Sequence, residues 1–463
     1  MLEELGNILW IIYVIILILI SVYFFLLFAY PDFDFNNYFQ PREDTQDNQE
    51  DEESLFPERK EQIKFKRYSQ SKLKIMSADR EDEEENNESV GFEELNTLTK
   101  DNNFLRNYLT ALEVSYDYKE VLYKKKLKEV NSDLGSYSKG LVNDHNTNRE
   151  RLTIYKKELE SIISTVDKRK AELNIQTIKK DFNLMLNSKN GFASLIGRSE
   201  MKDLLASQIF AFCRNPKMFF KDFQNIELTG SSGVGKTKMA ETIAYIYCKS
   251  GILLRKKFRY TTKQEFTSQY VNESAKLTRE ILLSTLEGVL LIDEAYDLVP
   301  EKSFGIPIRD HGEEALAEIV NFLDKFVGLS VVILAGYKDK MKHVFEANEG
   351  LDRRFPHKYE LRNYTSQELT GILITFIEDK DEEIKFDNPA ANYLYTLVDH
   401  IYNKLPEIFS KQAGEMLNLS TYILKAIYNS KSYSWSDDLK GNISLIKKGI
   451  NNYLKFKWNI QLG

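Results

Sequence analysis

The residues with the clearest chemical potential form a glycine-rich loop near the middle of the chain. A short β-like run, Ile226 to Leu228, leads into the sequence GSSGVGKT, and an amphipathic stretch follows. Glycines let backbone N–H groups wrap phosphates at a helix N-terminus, a lysine reaches the β- and γ-phosphates, and a hydroxyl binds Mg²⁺. The pattern therefore predicts a site for ATP and Mg²⁺. Its predicted nucleotide-binding residues are Gly230, Ser231, Ser232, Gly233, Val234, Gly235, Lys236, Thr237 and Lys238, with the Thr237 hydroxyl also on the metal.

A pair of carboxylates ends the next apolar run. Val289 to Ile292 are four consecutive apolar residues, typical of a buried parallel strand, and Asp293 and Glu294 follow directly. Open parallel sheets bind ligands at the carboxyl ends of their strands. Asp293 is therefore predicted to hold Mg²⁺, usually through water, and Glu294 to polarise the attacking water. Alone, such a pair could be a helix cap, but the phosphate loop favours the catalytic interpretation.

Two adjacent arginines, Arg353 and Arg354, lie beyond a third apolar run at Leu329–Tyr337. An arginine at the end of a short helix can neutralise charge on a transferring phosphoryl group in a neighbouring subunit's site. The alternative is an ordinary surface ion pair. The catalytic interpretation requires a ring or a helical oligomer.

The elements that must position these residues are parallel strands and flanking helices. The apolar runs predict an α/β P-loop NTPase core within residues 190–375. Residues 101–189 lack proline and repeat leucine, valine and tyrosine at three-to-four spacing, which predicts a helical or coiled-coil arm with a break near residues 144–148. The same spacing in residues 376–463 predicts a helical lid.

The N-terminus differs from the rest in composition. Residues 8–30 contain no charge, and as a helix they would span about 34 Å, enough for a bilayer core of about 30 Å. The acidic flank and long apolar run disfavour a cleaved signal peptide. Basic residues occur only after this span, so we expect a single-pass anchor with the C-terminal part in the cytosol.

The acidity of the chain is concentrated in one segment. The formal charge of the 463 residues is −7, and residues 31–100 alone carry 20 acidic and 10 basic side chains. With a further −2 in residues 1–30, residues 101–463 carry +5. The low content of apolar residues in 31–100 predicts a disordered tether, and the alternative is a docking site for a basic partner.

The modest charge of +5 on residues 101–463 disfavours a nucleic-acid motor, so nucleic acid is an unlikely partner. Only two cysteines, Cys213 and Cys248, occur, which fits a reducing compartment.

The ordered motifs of residues 195–375 resemble the CbxX/CfqX family of AAA+ ATPases, which includes red-type Rubisco activases and stage V sporulation protein K. The resemblance rests on LIGRSEMK, the phosphate loop, FTSQYVNESAKLT, GVLLIDEAYDL, HGEEALAEIVNFLD, VVILAGYKDKM and NEGLDRRF. It implies that Tyr270 grips a polypeptide as a pore-loop aromatic, that Ile196 and Gly197 line the adenine pocket, and that Arg354 matches the arginine finger. Arg353 is an additional candidate.

This chain departs from the family pattern at two places. Asn272 replaces the usual glycine of the pore loop, so the grip on a polypeptide is expected to differ. The family carries a lid arginine that senses the γ-phosphate, whereas this chain has no arginine after Arg362. Either that contact is absent or a lysine such as Lys411 makes it.

Two functions from different classes follow. The first is a membrane-anchored ATPase that acts as a homo-oligomer, expected to be a hexamer, and remodels or threads a protein. The second is a membrane scaffold in which nucleotide sets the oligomeric state with little turnover. Rubisco activation is disfavoured because an ATPase that acts on a soluble carboxylase has no evident need for a membrane anchor and an acidic tether.

Overall fold

A parallel five-stranded sheet organises the computed structural model, which describes residues 90–138, 146–267, 273–299, 302–303, 306–307, 312–382, 384–386, 388–429 and 443–460. The strands are β1 (Ile226–Gly230), β2 (Phe258–Thr261), β3 (Val289–Ile292), β6 (Val331–Gly336) and β7 (His357–Leu361), and the two-residue strands β4 (Lys302–Ser303) and β5 (Ile306–Pro307) form a separate antiparallel pair. The order in the main sheet is β2-β3-β6-β1-β7. Leu228 of β1 lies between Ala335 and Tyr359. This sheet confirms the predicted α/β core with a parallel sheet.

The central strands are buried along their whole length because helices cover both faces of a parallel sheet. Every residue of β1, β3 and β6 is buried, whereas most residues of the edge strands β2 and β7 are only partly buried or exposed. The three apolar runs of the sequence are therefore the three inner strands. Burial of β3 fixes Asp293 and Glu294 at the carboxyl edge of the sheet.

Helices make up most of the remaining described residues. Those before the sheet are α1 (Val90–Leu98), α2 (Asn102–Ser138), α3 (Asn146–Glu172), α4 (Ile175–Asn187), α5 (Ser199–Arg214) and α6 (Pro216–Phe219). Those within the core are α7 (Lys236–Lys249), α8 (Lys263–Phe266), α9 (Glu273–Ser284), α10 (Gly312–Lys325), α11 (Lys338–Ala347) and α12 (Glu349–Asp352). The last four are α13 (Ser366–Lys380), α14 (Asn388–Lys404), α15 (Gln412–Tyr428) and α16 (Ile443–Trp458).

The predicted helical arm is not a separate body. Helices α2 and α3 pack against each other as a hairpin, and their buried side chains belong to the same hydrophobic core as the sheet. Lys119 of α2 and Glu287, which precedes β3, form an ion pair at 2.6 Å in which both side chains are 0% exposed. Tyr123 donates a hydrogen bond to the other Glu287 oxygen at 2.7 Å. The amphipathic pattern of the sequence predicted the helices. It did not show that their apolar faces pack against the core that contains the sheet.

The predicted tether of residues 31–100 is wrong at its C-terminal end. Residues 90–98 form α1, which packs on α5 and buries Leu95 completely. The Phe92 ring lies 4.8 Å from that of Phe192, and the Phe92 backbone N–H donates to Asp203. The acidic composition suggested that this segment could not bury enough apolar surface to offset the loss of chain entropy on ordering. The contacts of α1 with the core provide that burial.

The lid begins earlier than residue 376. A second hydrophobic core runs from Tyr364 to Leu454 and contains Leu369 and Leu373 of α13. A capping box starts this helix, with the Thr365 hydroxyl accepting from the Glu368 N–H and the Glu368 carboxylate accepting from the Thr365 N–H. The predicted boundary therefore cuts through α13, because a continuous helical pattern does not show which core a helix joins.

Three predictions fall outside the described residues: the anchor at 8–30, the tether at 31–89 and the pore-loop Tyr270. Among the residues that are described, none of the helices has the length and apolar character needed to cross a bilayer.

Candidate nucleotide site

The phosphate loop connects β1 to α7 as predicted, and its backbone is shaped for close approach. Gly233 has a φ of 74°, and a Cβ built there would lie 2.0 Å from the backbone oxygen of Lys411. Gly233 also accepts a hydrogen bond from the Ala413 N–H at 3.1 Å. The N-terminus of lid helix α15 thus rests directly on the loop, which only glycine permits at this position.

The lysine of the loop is half-buried and held by the loop itself. Its ammonium donates to the carbonyls of Gly230 and Ser231 at 2.9 and 3.0 Å. Burial lowers the pKa of Lys236, and the nearby charges of Asp293 and Glu294 oppose that shift. Because phosphate oxygens can replace the carbonyl oxygens as hydrogen-bond acceptors, Lys236 is available to bind a triphosphate.

The two carboxylates lie at the carboxyl end of β3, where the sequence placed them. The Asp293 N–H donates to Thr261 of β2, and the Asp293 carboxylate accepts from the Glu294 N–H at 3.1 Å. Glu294 has a φ of 50°, in the left-handed region where a residue with a side chain is uncommon. This turn leaves the Glu294 side chain exposed beside the half-buried Asp293.

Two tyrosines that the sequence analysis did not select approach these carboxylates. Burial raises the pKa of Tyr260, and the nearby Asp293 carboxylate raises it further. Burial raises the pKa of Tyr296, and the nearby Glu294 carboxylate raises it further. Their strand-end positions were the available signal, since such positions converge in a parallel sheet.

The predicted adenine segment lies where the core meets the lid. Ile196 packs against the lid core, and a Cβ added to Gly197 would lie 1.9 Å from a carboxylate oxygen of Glu368. Arg362 pairs with Glu368 at 2.6 Å and also donates to the Gly197 carbonyl at 3.2 Å. Both predicted residues therefore lie against the lid.

A further arginine in this segment was missed. Arg198 is 6% exposed, donates to the Val234 carbonyl of the phosphate loop at 2.9 Å and to the Arg362 carbonyl at 2.8 Å, and stacks on the Tyr364 ring at 4.0 Å. It joins the phosphate loop to the first residue of the lid core. An arginine next to a predicted pocket residue was the only sequence signal.

The two candidate finger arginines have different environments. The Arg354 side chain is 4% exposed, donates from Nε to Asp324 at 2.8 Å, and also contacts the other Asp324 oxygen and the Gly350 carbonyl. Its backbone carbonyl accepts from Asn225 at 2.9 Å. Arg353 is exposed. The positional match, Arg354, is thus held within its own chain, whereas the neighbouring Arg353 faces solvent.

These residues fit ATP with Mg²⁺. The loop offers a backbone cradle at the start of α7 and a lysine whose hydrogen bonds go to exchangeable carbonyls. Thr237 follows that lysine, and Asp293 supplies the hard oxygen ligand that Mg²⁺ prefers. Lys411 contacts the loop through its backbone, and its side chain is exposed.

Comparison with known proteins agrees with this geometry. The model of the "ATPase family associated with various cellular activities (AAA)" matches residues 226–363. A "Protein CfxQ homolog" of Galdieria sulphuraria is 34% identical over 211 residues, covering 43% of this chain and 68% of that protein. The chain belongs to the CbxX/CfxQ family of AAA+ ATPases. This membership confirms the resemblance noted in the sequence.

Two further relatives have a similar identity to this chain. Protein CfxQ of Xanthobacter flavus is 37% identical over 158 residues, covering 34% of this chain and 48% of that protein. The ESX-3 secretion system protein EccA3 of Mycobacterium tuberculosis is 35% identical over 176 residues, covering 37% of this chain and 26% of that protein. This chain thus spans about half of the first and a quarter of the second. As a CbxX/CfxQ protein it is an ATP-hydrolysing enzyme of the AAA+ type.

Proposed function

We propose that this CbxX/CfxQ protein is a membrane-anchored ATPase that works as a homo-oligomeric ring, expected to be a hexamer, and remodels or threads a protein substrate. The observation that carries the proposal is the separation of the arginine pair. Arg354 is bound to Asp324 inside the chain, whereas the exposed Arg353 gains a catalytic role when a second copy brings its ATP site alongside. The secretion-system name of the relative EccA3 also supports a protein substrate.

The roles of the residues follow from their positions. Lys236 can exchange its contacts with Gly230 and Ser231 for phosphate oxygens, and Thr237 and Asp293 would hold Mg²⁺. Bound Mg²⁺ neutralises charge that develops on the phosphates. Glu294 orients water at the edge of the sheet, and Arg353 of one copy reaches the site of the next.

The proposal is tested by Glu294→Gln in the full-length protein. This change should abolish turnover but keep ATP binding, so that a nucleotide-loaded oligomer accumulates. Size-exclusion chromatography with light scattering and a phosphate-release assay measure both. Asp297→Asn, an exposed acid in the same turn, is the matched control and should hydrolyse normally. Wild-type turnover in Glu294→Gln would refute the assigned role.

Threading and anchoring are tested separately. Tyr270→Ala should preserve hydrolysis while abolishing unfolding of a captured substrate, found by pull-down with the trapped Glu294→Gln oligomer. Deletion of residues 1–30 should move the protein from carbonate-resistant membranes to the supernatant. Protease protection in sealed vesicles should find the ATPase on the cytosolic side, where ATP is available.

The scaffold function remains a second proposal because of one feature of the lid. The chain has no arginine after Arg362, and the lid meets the loop through the backbone of Lys411 and Ala413. If ATP fails to drive lid closure, nucleotide would set assembly without rapid turnover. Steady-state hydrolysis far below one ATP per minute, together with ATP-dependent assembly, would favour the scaffold over the motor.

A further inference from the structure

The feature that leads beyond the assigned roles is the buried guanidinium of Arg198, which reaches the phosphate loop from its inner side. Arg198 immediately precedes α5. It donates to the backbone carbonyl of Val234 at 2.9 Å and to that of Arg362 at 2.8 Å, and it stacks on the Tyr364 ring at 4.0 Å. One side chain of the core thus holds both the loop and the segment that joins β7 to the lid.

This guanidinium has no carboxylate partner among the described residues. Its partners there are two carbonyl oxygens and one ring, and its Nε has no hydrogen-bond partner in that part of the chain. Arg255 is just as buried, both side chains being 6% exposed, but it pairs with the Glu158 carboxylate at 2.7 Å. A buried charge without a counter-charge costs free energy, so packing alone does not account for Arg198. A bound polyphosphate would bring the missing negative charge.

The hydrogen bond to Val234 also orients the next backbone N–H. The Val234 carbonyl and the Gly235 N–H belong to one planar trans peptide unit, so they point to opposite sides of it. Because Arg198 holds the carbonyl on the buried side, the Gly235 N–H faces the partly exposed side of the loop. A cation bound to the carbonyl also polarises the peptide, which makes its N–H a stronger donor to a phosphate.

The glycines of the loop leave this peptide free to turn. Gly233 and Gly235, on either side of Val234, have φ values of 74° and 88°. Glycine adopts positive and negative φ about equally readily, so the loop's own residues do not fix the peptide in one orientation. In the opposite orientation the carbonyl oxygen of Val234 would face the phosphates and repel them. An external hydrogen bond such as that of Arg198 selects the orientation that attracts them.

We propose that Arg198 is a positioning residue for the phosphate loop, which holds the peptide between Val234 and Gly235 with its N–H towards the phosphates and places an unneutralised positive charge behind it. Arg198 acts on the phosphates through this peptide and not by contact. The Arg362 carbonyl and the Tyr364 ring keep the guanidinium in place. The inference rests on the proposed role of the phosphate loop in binding ATP.

The test uses full-length Arg198→Met, which keeps most of the side-chain length and removes the donors and the charge. Calorimetric titration measures the dissociation constants of a non-hydrolysable ATP analogue and of inorganic tripolyphosphate, each with Mg²⁺. Both constants should rise by a similar factor, roughly ten- to hundredfold, because the lost hydrogen bond came from a charged donor. The kcat at saturating ATP should stay within about threefold, since the loss affects ground state and transition state alike.

Two further variants separate positioning from folding. Arg255→Met removes an equally buried arginine away from the loop, so it should lower the melting temperature and leave both dissociation constants unchanged. Arg198→Lys keeps the charge without the planar fork and should bind both ligands roughly three- to tenfold more weakly than the wild type. This variant provides the measurement if Arg198→Met does not fold.

Wild-type affinity for tripolyphosphate in either Arg198 variant would overturn the inference. So would weaker binding of the ATP analogue alone, because the arginine would then act on the adenosine part of the nucleotide. Failure of the underlying function gives a different result, namely a Lys236→Ala variant that binds tripolyphosphate as tightly as the wild type.

Discussion

At the scale of single residues, burial separates the roles of two neighbouring arginines. The guanidinium of Arg354 lowers the pKa of the Asp324 carboxyl through a hydrogen bond and its charge, although partial burial of Asp324 opposes the shift. Arg353, one residue earlier, is exposed on the same short turn. A sequence match counts positions along the chain and cannot tell which of two adjacent side chains points inward.

Arg353→Ala should lower ATP turnover by about 10³-fold or more while leaving the melting temperature unchanged, because a finger contributes charge only in the transition state. Mixing this variant with Glu294→Gln subunits should restore part of the activity, since the second variant supplies Arg353 to the intact sites of the first. Phosphate release from the mixed oligomer measures this rescue. If mixing restores nothing, Arg353 does not act between subunits.

Arg354→Ala should instead destabilise the fold by about 1–3 kcal/mol. The loss is moderate because Asp324, which would lose its cationic partner, is half exposed and stays partly hydrated. Thermal unfolding of the full-length protein measures the loss, and Arg354→Lys should recover part of it. If Arg354→Ala kept a normal melting temperature but lost ATP turnover, Arg354 would be the catalytic arginine and the role assigned to Arg353 would be wrong.

At the scale of elements, the sequence predicted what is local and missed what is distant. Each inner strand and its catalytic residue could be predicted because an apolar run followed by Lys236, or by Asp293 and Glu294, lies within one short segment. Edge strands β2 and β7 are half exposed and show no such run. The docking of α2 depends on Lys119 meeting Glu287, 168 residues away, which no local pattern reports.

Lys119→Met should destabilise the protein by about 3–5 kcal/mol, because it leaves the Glu287 carboxylate buried without its cation. Adding Glu287→Gln should recover part of this loss, since the buried charge is then gone. Chemical denaturation of the full-length protein measures both. Lys124→Met, which breaks an exposed pair on the same helix, should cost less than about 1 kcal/mol. A similar cost at both positions would contradict the buried pair's importance.

The last lid helix, α16, should undock in acid. Glu415 is 2% exposed; burial raises its pKa, but hydrogen bonds from Lys457, Tyr453 and Asn418 outweigh burial and lower it. A carboxyl whose pKa is lower in the folded than in the unfolded protein stabilises the fold at pH values above its unfolded pKa of about 4.3. This stabilisation is lost as the pH falls through the folded pKa.

The melting temperature should therefore fall between about pH 5 and pH 3 more steeply in the wild type than in Glu415→Gln. Glu407→Gln, an exposed glutamate in the preceding turn, should keep the wild-type slope. Parallel slopes in the wild type and Glu415→Gln would show that this carboxylate does not hold the helix.

At the scale of the whole molecule, the folded ATPase includes residues that composition had placed outside it. Helices α1 to α4 share one hydrophobic core with the sheet, so the catalytic unit of the described chain starts at residue 90 and not at 190. The excess of acidic residues lies largely before the sheet and its helices, since residues 31–100 carry 20 acidic and 10 basic side chains whereas residues 101–463 carry +5.

A fragment that starts at residue 90 should melt cooperatively and hydrolyse ATP as the full-length protein does. A fragment that starts at residue 190 lacks Lys119 and Tyr123 and exposes the core face that α2 covers, so it should aggregate or bind an exposed-hydrophobe dye. Circular dichroism, dye binding and phosphate release compare the two. A stable, active fragment from residue 190 would show that the hairpin is dispensable.

The distance along the chain between Lys119 and Glu287 also sets an order of events during synthesis. At about 5–20 residues per second, the ribosome releases Lys119 roughly ten to thirty seconds before Glu287. Throughout that interval the hairpin exists without the surface it will cover, and its apolar face is open to other nascent chains. Docking of the hairpin is therefore a late step, and the newborn protein is most vulnerable to aggregation just before its catalytic strand β3 is made.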